Sequence, residues 1–72
     1  MELKDSLRRF RKTYKLTQVQ AAEAAGVRES MYQLYEYGKS EPKISVMVAL
    51  ADAYNVSVDY ILGRTDNPDI NR

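Results

Sequence analysis

The spacing of the apolar residues constrains this chain most strongly. In the first segment Leu3, Leu7 and Phe10 recur at intervals of three and four residues, which places them on one face of a helix. Similar stripes follow along the chain, and no window shows the strict alternation of apolar and polar residues expected of a half-buried strand. The sequence therefore predicts an all-α fold, a compact bundle of five helices.

Capping residues mark the ends of the second and third helices. Thr17 and Gln20 form a capping-box pattern, in which the Thr17 hydroxyl accepts from the Gln20 backbone amide. Gly26 and Gly38 are suited to the left-handed conformation that often ends a helix, because they have no Cβ. The second helix is predicted from about Gln18 to Gly26, and the third from about Arg28 to Tyr37.

The remaining helices are predicted in the same way. Asn55 is a candidate C-terminal cap for the fourth helix, and Ser57 caps a short fifth helix that ends before Gly63. The stripe of the fourth helix consists of Ile44, Met47, Val48, Ala51 and Tyr54. In the first helix Arg11 and Tyr14 extend the buried face, whereas Arg8, Arg9 and Lys12 are expected near solvent. Residues 1–63 form one domain, and residues 64–72 are predicted to be a flexible polar tail.

The connection between the second and third helices is very short, which predicts a helix-turn-helix motif over residues 18–37. Ala22 is small where the third helix must approach the second, Gly26 supplies the turn, and Val27 anchors it. Tyr32 and Tyr35, three residues apart, give the third helix an inward face. The residues expected on its opposite face are Ser30, Gln33, Leu34 and Tyr37.

The composition argues against most enzymes. The 72 residues include no cysteine and no histidine, so thiolate metal ligands and the commonest general base are missing, and no metal or other cofactor is expected. No apolar run approaches the roughly 20 residues that span a bilayer, and residues 1–15 lack a signal-peptide core. A cytoplasmic protein without a membrane segment is expected. The same 15 residues are basic, which suits phosphate contact but equally suits an ordinary solvated helix face.

The chain resembles the phage-repressor-like helix-turn-helix regulators of the Cro and lambda-repressor type. The resemblance extends from about Leu3 to Gly63. The spacing of all the matching residues taken together is more specific than any single motif. The matching residues are Leu16-Thr17-Gln18, Ala21-Ala22, Gly26-Val27, Tyr32, Tyr35-Glu36-Tyr37-Gly38-Lys39, Pro42, Leu50-Ala51 and Val56-Ser57-Val58-Asp59-Tyr60-Ile61-Leu62-Gly63.

The resemblance implies a compact five-helix, lambda-repressor-like domain whose third helix enters the major groove of double-stranded DNA. It also implies a symmetric homodimer on a palindromic operator. Arg11 and Glu36 match a buried ion pair of the family, which is a structural role. The base-contacting positions fall on Glu29, Ser30 and Leu34, with Gln33 beside them. The phosphate-contacting positions fall on Gln18, Arg28, Lys39 and Lys43.

Two of these assignments also have a rationale in the residues themselves. Gln18 stands at a helix N-terminus, where backbone amides and the helix dipole attract phosphate. Tyr37 is the one tyrosine expected to be free to reach a phosphate, since the other five fall on inward stripes. Two residues depart from the family pattern. Arg28 replaces the usual Ser or Thr cap, and Glu29 stands where a neutral or basic residue is usual, although a carboxylate can accept from a cytosine amino group.

The outward face of the third helix is unusually apolar, with Met31, Leu34 and Tyr37. One interpretation is contact with a thymine methyl group, and a second is contact with another protein. A third is that Met31 and Tyr37 lie half-buried and only Leu34 is free.

The predicted function is sequence-specific transcriptional regulation by a repressor. Its dimer is expected to form through Tyr54–Gly63. A protein partner is expected to modulate its binding to DNA. The alternative for that segment is that its apolar residues only close the monomer core. The alternative function is a protein-interaction module of the same fold, which binds an antitoxin-type or antirepressor-type partner through Met31, Leu34 and Tyr37.

Overall fold

The computed structural model describes residues 2–69 and contains five α-helices, with no strand in that range. The prediction of an all-α, five-helix fold is confirmed. Of the tail predicted for residues 64–72, residues 70–72 lie outside the described range. The helices are α1 (Leu3–Thr13), α2 (Gln18–Ala25), α3 (Glu29–Tyr37), α4 (Ile44–Ala53) and α5 (Val58–Ile61).

The helix ends follow from local chemistry. At the start of α2 the Thr17 Oγ1 accepts from the Gln20 backbone amide at 3.1 Å, and the Gln20 Oε1 accepts from the Thr17 amide at 2.9 Å. Gly26 and Gly38 end α2 and α3 in the left-handed conformation, with φ of 76° and 75°. The Ser57 Oγ accepts from the Tyr60 amide at 3.0 Å. The predicted caps at these residues are therefore confirmed.

The core is formed by α1 packing on α3 and α5, by α2 packing on α3 and α4, and by α4 packing on α5. Its small residues are clustered in α2, where alanines permit close helix approach. The buried apolar residues are Leu7, Phe10, Ala21, Ala22, Ala25, Tyr32, Tyr35, Met47, Leu50, Ala51, Val56 and Ile61.

An aromatic cluster joins the ends of α1, α4 and α5. The ring centroid of Phe10 lies 4.7 Å from that of Tyr14, 5.8 Å from that of Tyr54 and 6.4 Å from that of Tyr60. These separations are typical of stabilising aromatic pairs. Tyr14, Tyr54 and Tyr60 are half-buried, so the cluster lies at the edge of the core.

Two further contacts hold the C-terminal part in place. The Oγ of the buried Ser6 donates to the Leu62 carbonyl at 3.0 Å, which ties α1 to the end of α5. The Ser57 backbone amide donates to the Pro68 carbonyl at 3.0 Å, so the segment after α5 returns to the start of that helix.

The prediction that Ile44 and Val48 lie on the buried stripe of α4 is wrong. Ile44 is 81% exposed and Val48 is 42% exposed. The buried face of α4 is centred on Met47, Leu50 and Ala51, and Ile44 is the first residue of the helix, one turn before the first of these buried residues. Within residues 2–69, none of the helices is long and apolar enough to cross a membrane.

Candidate nucleic-acid interface

The turn between α2 and α3 is short and closed by backbone hydrogen bonds. The Val27 amide donates to the Ala22 carbonyl at 3.0 Å, and the intervening Gly26 has a φ of 76°. A Cβ at Gly26 would have no neighbour within 4 Å, so its left-handed backbone alone favours glycine there. Ala22 is buried and Val27 is half-buried, which places the start of α3 directly against α2.

The inner face of α3 fixes the helix on the domain. Tyr32 and Tyr35 are buried, and their rings meet edge to face with centroids 6.3 Å apart. Glu36, one turn after Tyr32, is also buried and is 1% exposed. These three residues hold one side of α3 and leave its other side to solvent.

A buried ion pair connects α1 to α3. The Arg11 Nε donates to the Glu36 Oε2 at 2.7 Å, and the Arg11 Nη2 donates to the Glu36 Oε1 at 3.1 Å. The Arg11 Nη1 also donates to the Leu16 carbonyl at 3.1 Å, just before α2 begins. Arg11 therefore contacts the end of α3 and the chain that enters α2.

The protonation of Glu36 follows from these contacts. Burial acts to raise the pKa of the Glu36 carboxyl, but the hydrogen bonds donated by Arg11 and Gln18, with the adjacent Tyr32 hydroxyl, outweigh burial and leave the pKa below its usual range. Glu36 is therefore ionised at neutral pH. The Tyr32 hydroxyl is itself buried and has no hydrogen-bond partner within residues 2–69. Burial, together with the nearby Glu36 carboxylate, raises the pKa of this hydroxyl.

Arg8 is predicted to lie near solvent, and the structure adds that it is half-buried and binds the end of α3. Its Nε and Nη2 donate to the Glu36 backbone carbonyl at 3.1 Å and 2.7 Å. A cation is favoured there because the last carbonyls of a helix lack intrahelical partners and carry partial negative charge. Arg8 and Arg11 are three residues apart on α1, and that shared face was the sequence signal for its role.

Hydrogen bonds between side chains also join α2 to α3. The Gln18 Nε2 donates to the Glu36 Oε1 at 3.3 Å, and the Gln33 Nε2 donates to the Gln18 Oε1 at 3.3 Å. Gln18 is the first residue of α2, and Gln33 lies in the middle of α3. Both are half-buried. Gln33 thus lies on the side of α3 that faces α2, beside the fully outward face.

The outward face of α3 contains Glu29, Ser30 and Leu34, all of which are exposed. Met31 is 37% exposed, Leu34 is 36% exposed and Tyr37 is 53% exposed. The interpretation that Met31 and Tyr37 are half-buried is therefore wrong, because the inner positions of α3 are occupied by Tyr32, Tyr35 and Glu36.

The basic side chains proposed for phosphate contact flank this helix. Arg28 is the N-cap residue of α3, and its side chain makes no capping hydrogen bond. Lys39 follows Gly38, the C-cap residue of α3, and Lys43 is the N-cap residue of α4. All three are exposed. Arg28 and Lys39 are therefore exposed cations that come shortly before and after α3 in the chain, and Lys43 is an exposed cation at the start of α4. In residues 2–69 no group of three or more acidic side chains is arranged to hold a metal ion.

Comparisons with known proteins agree with this architecture. Residues 7–61 match a family model described as Helix-turn-helix. The chain is 51% identical over 63 residues to an uncharacterized HTH-type transcriptional regulator, YobD, of Bacillus subtilis, covering 88% of this chain and 56% of that protein. It is 36% identical over 64 residues to the cryptic phage CTXphi transcriptional repressor RstR of Vibrio cholerae, covering 89% and 57%.

A solved structure is also similar along almost the whole chain. The DNA-binding domain of the P22 C2 repressor matches with a TM-score of 0.79 and 27% identity, covering 99% of this chain and 92% of that domain. The chain spans a little over half the length of the curated relatives it matches. Family match, sequence identity and fold agree, and the chain therefore belongs to the phage-repressor-type helix-turn-helix family, a family of DNA-binding transcription regulators.

Proposed function

We propose that this chain binds DNA as a transcriptional repressor, as a homodimer on a palindromic operator with α3 in the major groove. The observation that carries the proposal is that α3 has one side buried in the domain and the other side exposed. Tyr32, Tyr35 and Glu36 hold its inner side in the domain, and Glu29, Ser30 and Leu34 are exposed on the other side. A major groove about 12 Å wide admits a helix, and side chains on the exposed side then reach the base edges.

The contacts proposed for this helix divide into two kinds. Glu29, Ser30, Gln33 and Leu34 contact bases, with the Leu34 side chain suited to a thymine methyl group and the Glu29 carboxylate suited to a cytosine amino group. The phosphate contacts position the helix, and they come from Gln18, Arg28, Tyr37, Lys39 and Lys43. The exposure of Arg28 and Lys39 near the two ends of α3, and of Lys43 at the start of α4, supports the second set.

Enrichment of bound fragments from a random duplex pool tests the proposal. We expect one palindromic sequence whose half-sites are centred about one helical turn, roughly 34 Å, apart. Leu34→Lys is expected to change the preferred base at one position in each half-site, because the lysine ammonium cannot replace an apolar contact with a thymine methyl group. Thr13→Lys on α1 is the matched control, because Thr13 is exposed and lies outside both the proposed DNA contacts and the groove proposed for the dimer. Enrichment of no sequence, with equal binding of all duplexes, would refute sequence-specific recognition.

The dimer is proposed to form around α5, within Tyr54–Gly63. A shallow groove of about 300 Å³ lies between α4 and α5 and is lined in part by Val48, Ala51, Val56 and Val58. The exposed Val48 at its edge leaves apolar area open to solvent on this side of the domain. A second copy that packs here would remove that area from water, which supports a symmetric contact.

Val48→Asp is expected to weaken the dimer by at least tenfold, because it places a charge in an apolar contact that excludes water, at a residue that is exposed in the single domain. Sedimentation velocity over a range of protein concentrations, with and without operator, measures the effect. Val19→Asp serves as the matched control, since Val19 is an exposed valine on α2. Equal self-association of Val48→Asp and the unchanged chain would place the dimer surface elsewhere.

A second candidate function uses the same exposed helix against a protein. Met31, Leu34 and Tyr37 are all exposed, and large apolar side chains grouped in this way occur at protein contacts. Binding of an antirepressor-type partner here would compete with DNA for α3. The two functions are separated by the selection experiment above, because only the DNA-binding function enriches a sequence.

A further inference from the structure

The C-terminal end of α3 is completed by a side chain of α1. The last four carbonyls of a helix have no intrahelical partner and need a donor from elsewhere. The Leu34 carbonyl accepts from the Lys39 backbone amide at 2.9 Å. Within residues 2–69 no backbone amide donates to the Glu36 carbonyl, and its hydrogen bonds come from Arg8, at 2.7 Å and 3.1 Å. Arg8 therefore supplies the donors that the backbone does not.

These hydrogen bonds fix the direction in which the chain leaves α3. The Glu36 carbonyl belongs to the peptide group that joins Glu36 to Tyr37. Two donors from one planar guanidinium hold that carbonyl more closely than a single donor would. The next residues are Tyr37, which is 53% exposed, Gly38 with a φ of 75°, and the exposed Lys39. Arg8 thus holds the peptide group that leads to two residues proposed to contact phosphate.

A second contact from α1 reaches the same turn. The side chain of Lys4 lies across Gly38, since a Cβ at Gly38 would be 2.9 Å from the Lys4 Cδ. Lys4 and Arg8 are four residues apart, so they project from one face of α1. The body of α3 is held by its own buried side chains. The turn of residues 37–39 is instead held from outside, by α1.

We propose that Arg8 is a positioning residue for phosphate binding, which acts on DNA through Lys39 without contacting the DNA itself. The proposal rests on the proposed DNA-binding function. Arg8 is half-buried, and its guanidinium is bound to the Glu36 carbonyl. Lys39 is exposed, and the position of its ammonium depends on the backbone before it. Loss of the Arg8 hydrogen bonds removes the Lys39 contact from both copies, while α3 still reads the same bases.

Two substitutions of Arg8 separate the hydrogen bond from the charge. Arg8→Gln places an amide nitrogen where the arginine has Nε, because both atoms are bonded to Cδ, so one donor to the Glu36 carbonyl is retained. Arg8→Met has the same length but places a methyl group there, so no donor remains. Both variants lose the same positive charge. Arg9→Met is the control for that loss, since Arg9 is an exposed arginine at the next position of α1.

The measurement is the slope of log affinity against log salt for the enriched operator, which reports how many phosphates are neutralised. Arg8→Met is expected to make the slope less steep than that of Arg9→Met by about one to two units, because one Lys39 contact is lost in each copy. Arg8→Gln is expected to recover at least half of that difference. In a Lys39→Gln background, Arg8→Met and Arg9→Met are expected to give slopes equal within about half a unit, because the contact is already absent.

Two further readouts distinguish positioning from a general effect on the fold. The base preferences of Arg8→Met at each operator position are expected to match those of the unchanged chain, because the buried side of α3 is retained. Hydrogen exchange of the Lys39 backbone amide, followed by NMR, is expected to be fastest in Arg8→Met, intermediate in Arg8→Gln and unchanged in Arg9→Met. Far-UV circular dichroism verifies that each variant is folded.

Each failure has its own signature. Equal slopes for Arg8→Met and Arg9→Met would refute the positioning role, and so would a difference between them that persists in the Lys39→Gln background. Altered base preferences would show that Arg8 holds the whole of α3, which also overturns the proposal. If Arg8→Met does not fold, equal exchange of the Lys39 amide in Arg8→Gln and Arg9→Met would refute it. If no sequence is enriched by the unchanged chain, the proposed function and this inference fail together.

Discussion

Arg11→Met is expected to lower the free energy of unfolding by about 3 to 5 kcal/mol, because it leaves the Glu36 carboxylate buried and without its cation. Glu36 is 1% exposed, so water cannot replace the lost partner. A domain of this size is stable by roughly 5 to 10 kcal/mol, and the variant is therefore expected to unfold more than about 10 °C lower. Thermal unfolding followed by circular dichroism measures the change.

Lys12→Met is the matched control, since Lys12 is an exposed basic residue of the same helix. It is expected to change the free energy of unfolding by less than about 0.5 kcal/mol. The double variant Arg11→Met, Glu36→Leu is expected to recover part of the loss, because no unpaired charge then remains in the core. Equal melting temperatures for Arg11→Met and Lys12→Met would contradict a stabilising role for the ion pair.

The same ion pair makes the stability of the unchanged chain depend on pH in the acid range. The pKa of the Glu36 carboxyl is lowered in the folded state, so its contribution to stability is present above the unfolded-state pKa and is lost as the pH falls through the folded-state pKa. In the double variant this part of the acid dependence is expected to be absent. Urea unfolding at several pH values compares the two chains.

The affinity for operator DNA is expected to fall about a thousandfold when the salt concentration rises from 50 to 200 mM. Each phosphate neutralised by a protein cation releases counterions, and Arg28, Lys39 and Lys43 in two copies give about six such contacts. The expected slope of log affinity against log salt is then about −5. Fluorescence anisotropy with a labelled operator over a series of potassium chloride concentrations measures it.

Lys39→Gln with Lys43→Gln removes about four of these contacts from the dimer. The slope is expected to fall to about −2, so the same change in salt then costs only about tenfold in affinity. Lys12→Gln, which removes a charge from α1, is expected to leave the slope unchanged. A slope that differs by less than one unit between the double variant and the unchanged chain would show that Lys39 and Lys43 do not contact phosphate.

Local chemistry explains which parts of the fold were predictable. The caps at Thr17, Gly26, Gly38 and Ser57 depend on residues within one helical turn, so the sequence contains nearly all that determines them. Ile44 shows the limit of the apolar pattern. The pattern identifies the face of α4 on which a residue lies, but it does not tell whether another helix covers that part of the face.

The side-chain contacts of the candidate interface were harder to predict. Arg8 binds a backbone carbonyl of α3, and a backbone acceptor has no signature in the sequence. The contact between Gln18 and Gln33 depends on how α2 and α3 are placed relative to each other, which the spacing of residues does not give. The exposure of Met31 and Tyr37 likewise depends on Tyr32, Tyr35 and Glu36 occupying all of the inner positions of α3.

The division of α3 into a held side and an exposed side has a consequence for how such a domain acquires new targets. Substitutions at Glu29, Ser30 and Leu34 are expected to cost less than about 0.5 kcal/mol of stability, because these residues are exposed. Recognition can therefore diverge at these three positions while the fold stays intact. Gln33 is different, because it is bonded through Gln18 to the buried pair. Descendants of a duplicated copy are expected to change operators first at the three exposed positions, and to exchange Gln33 only together with Gln18.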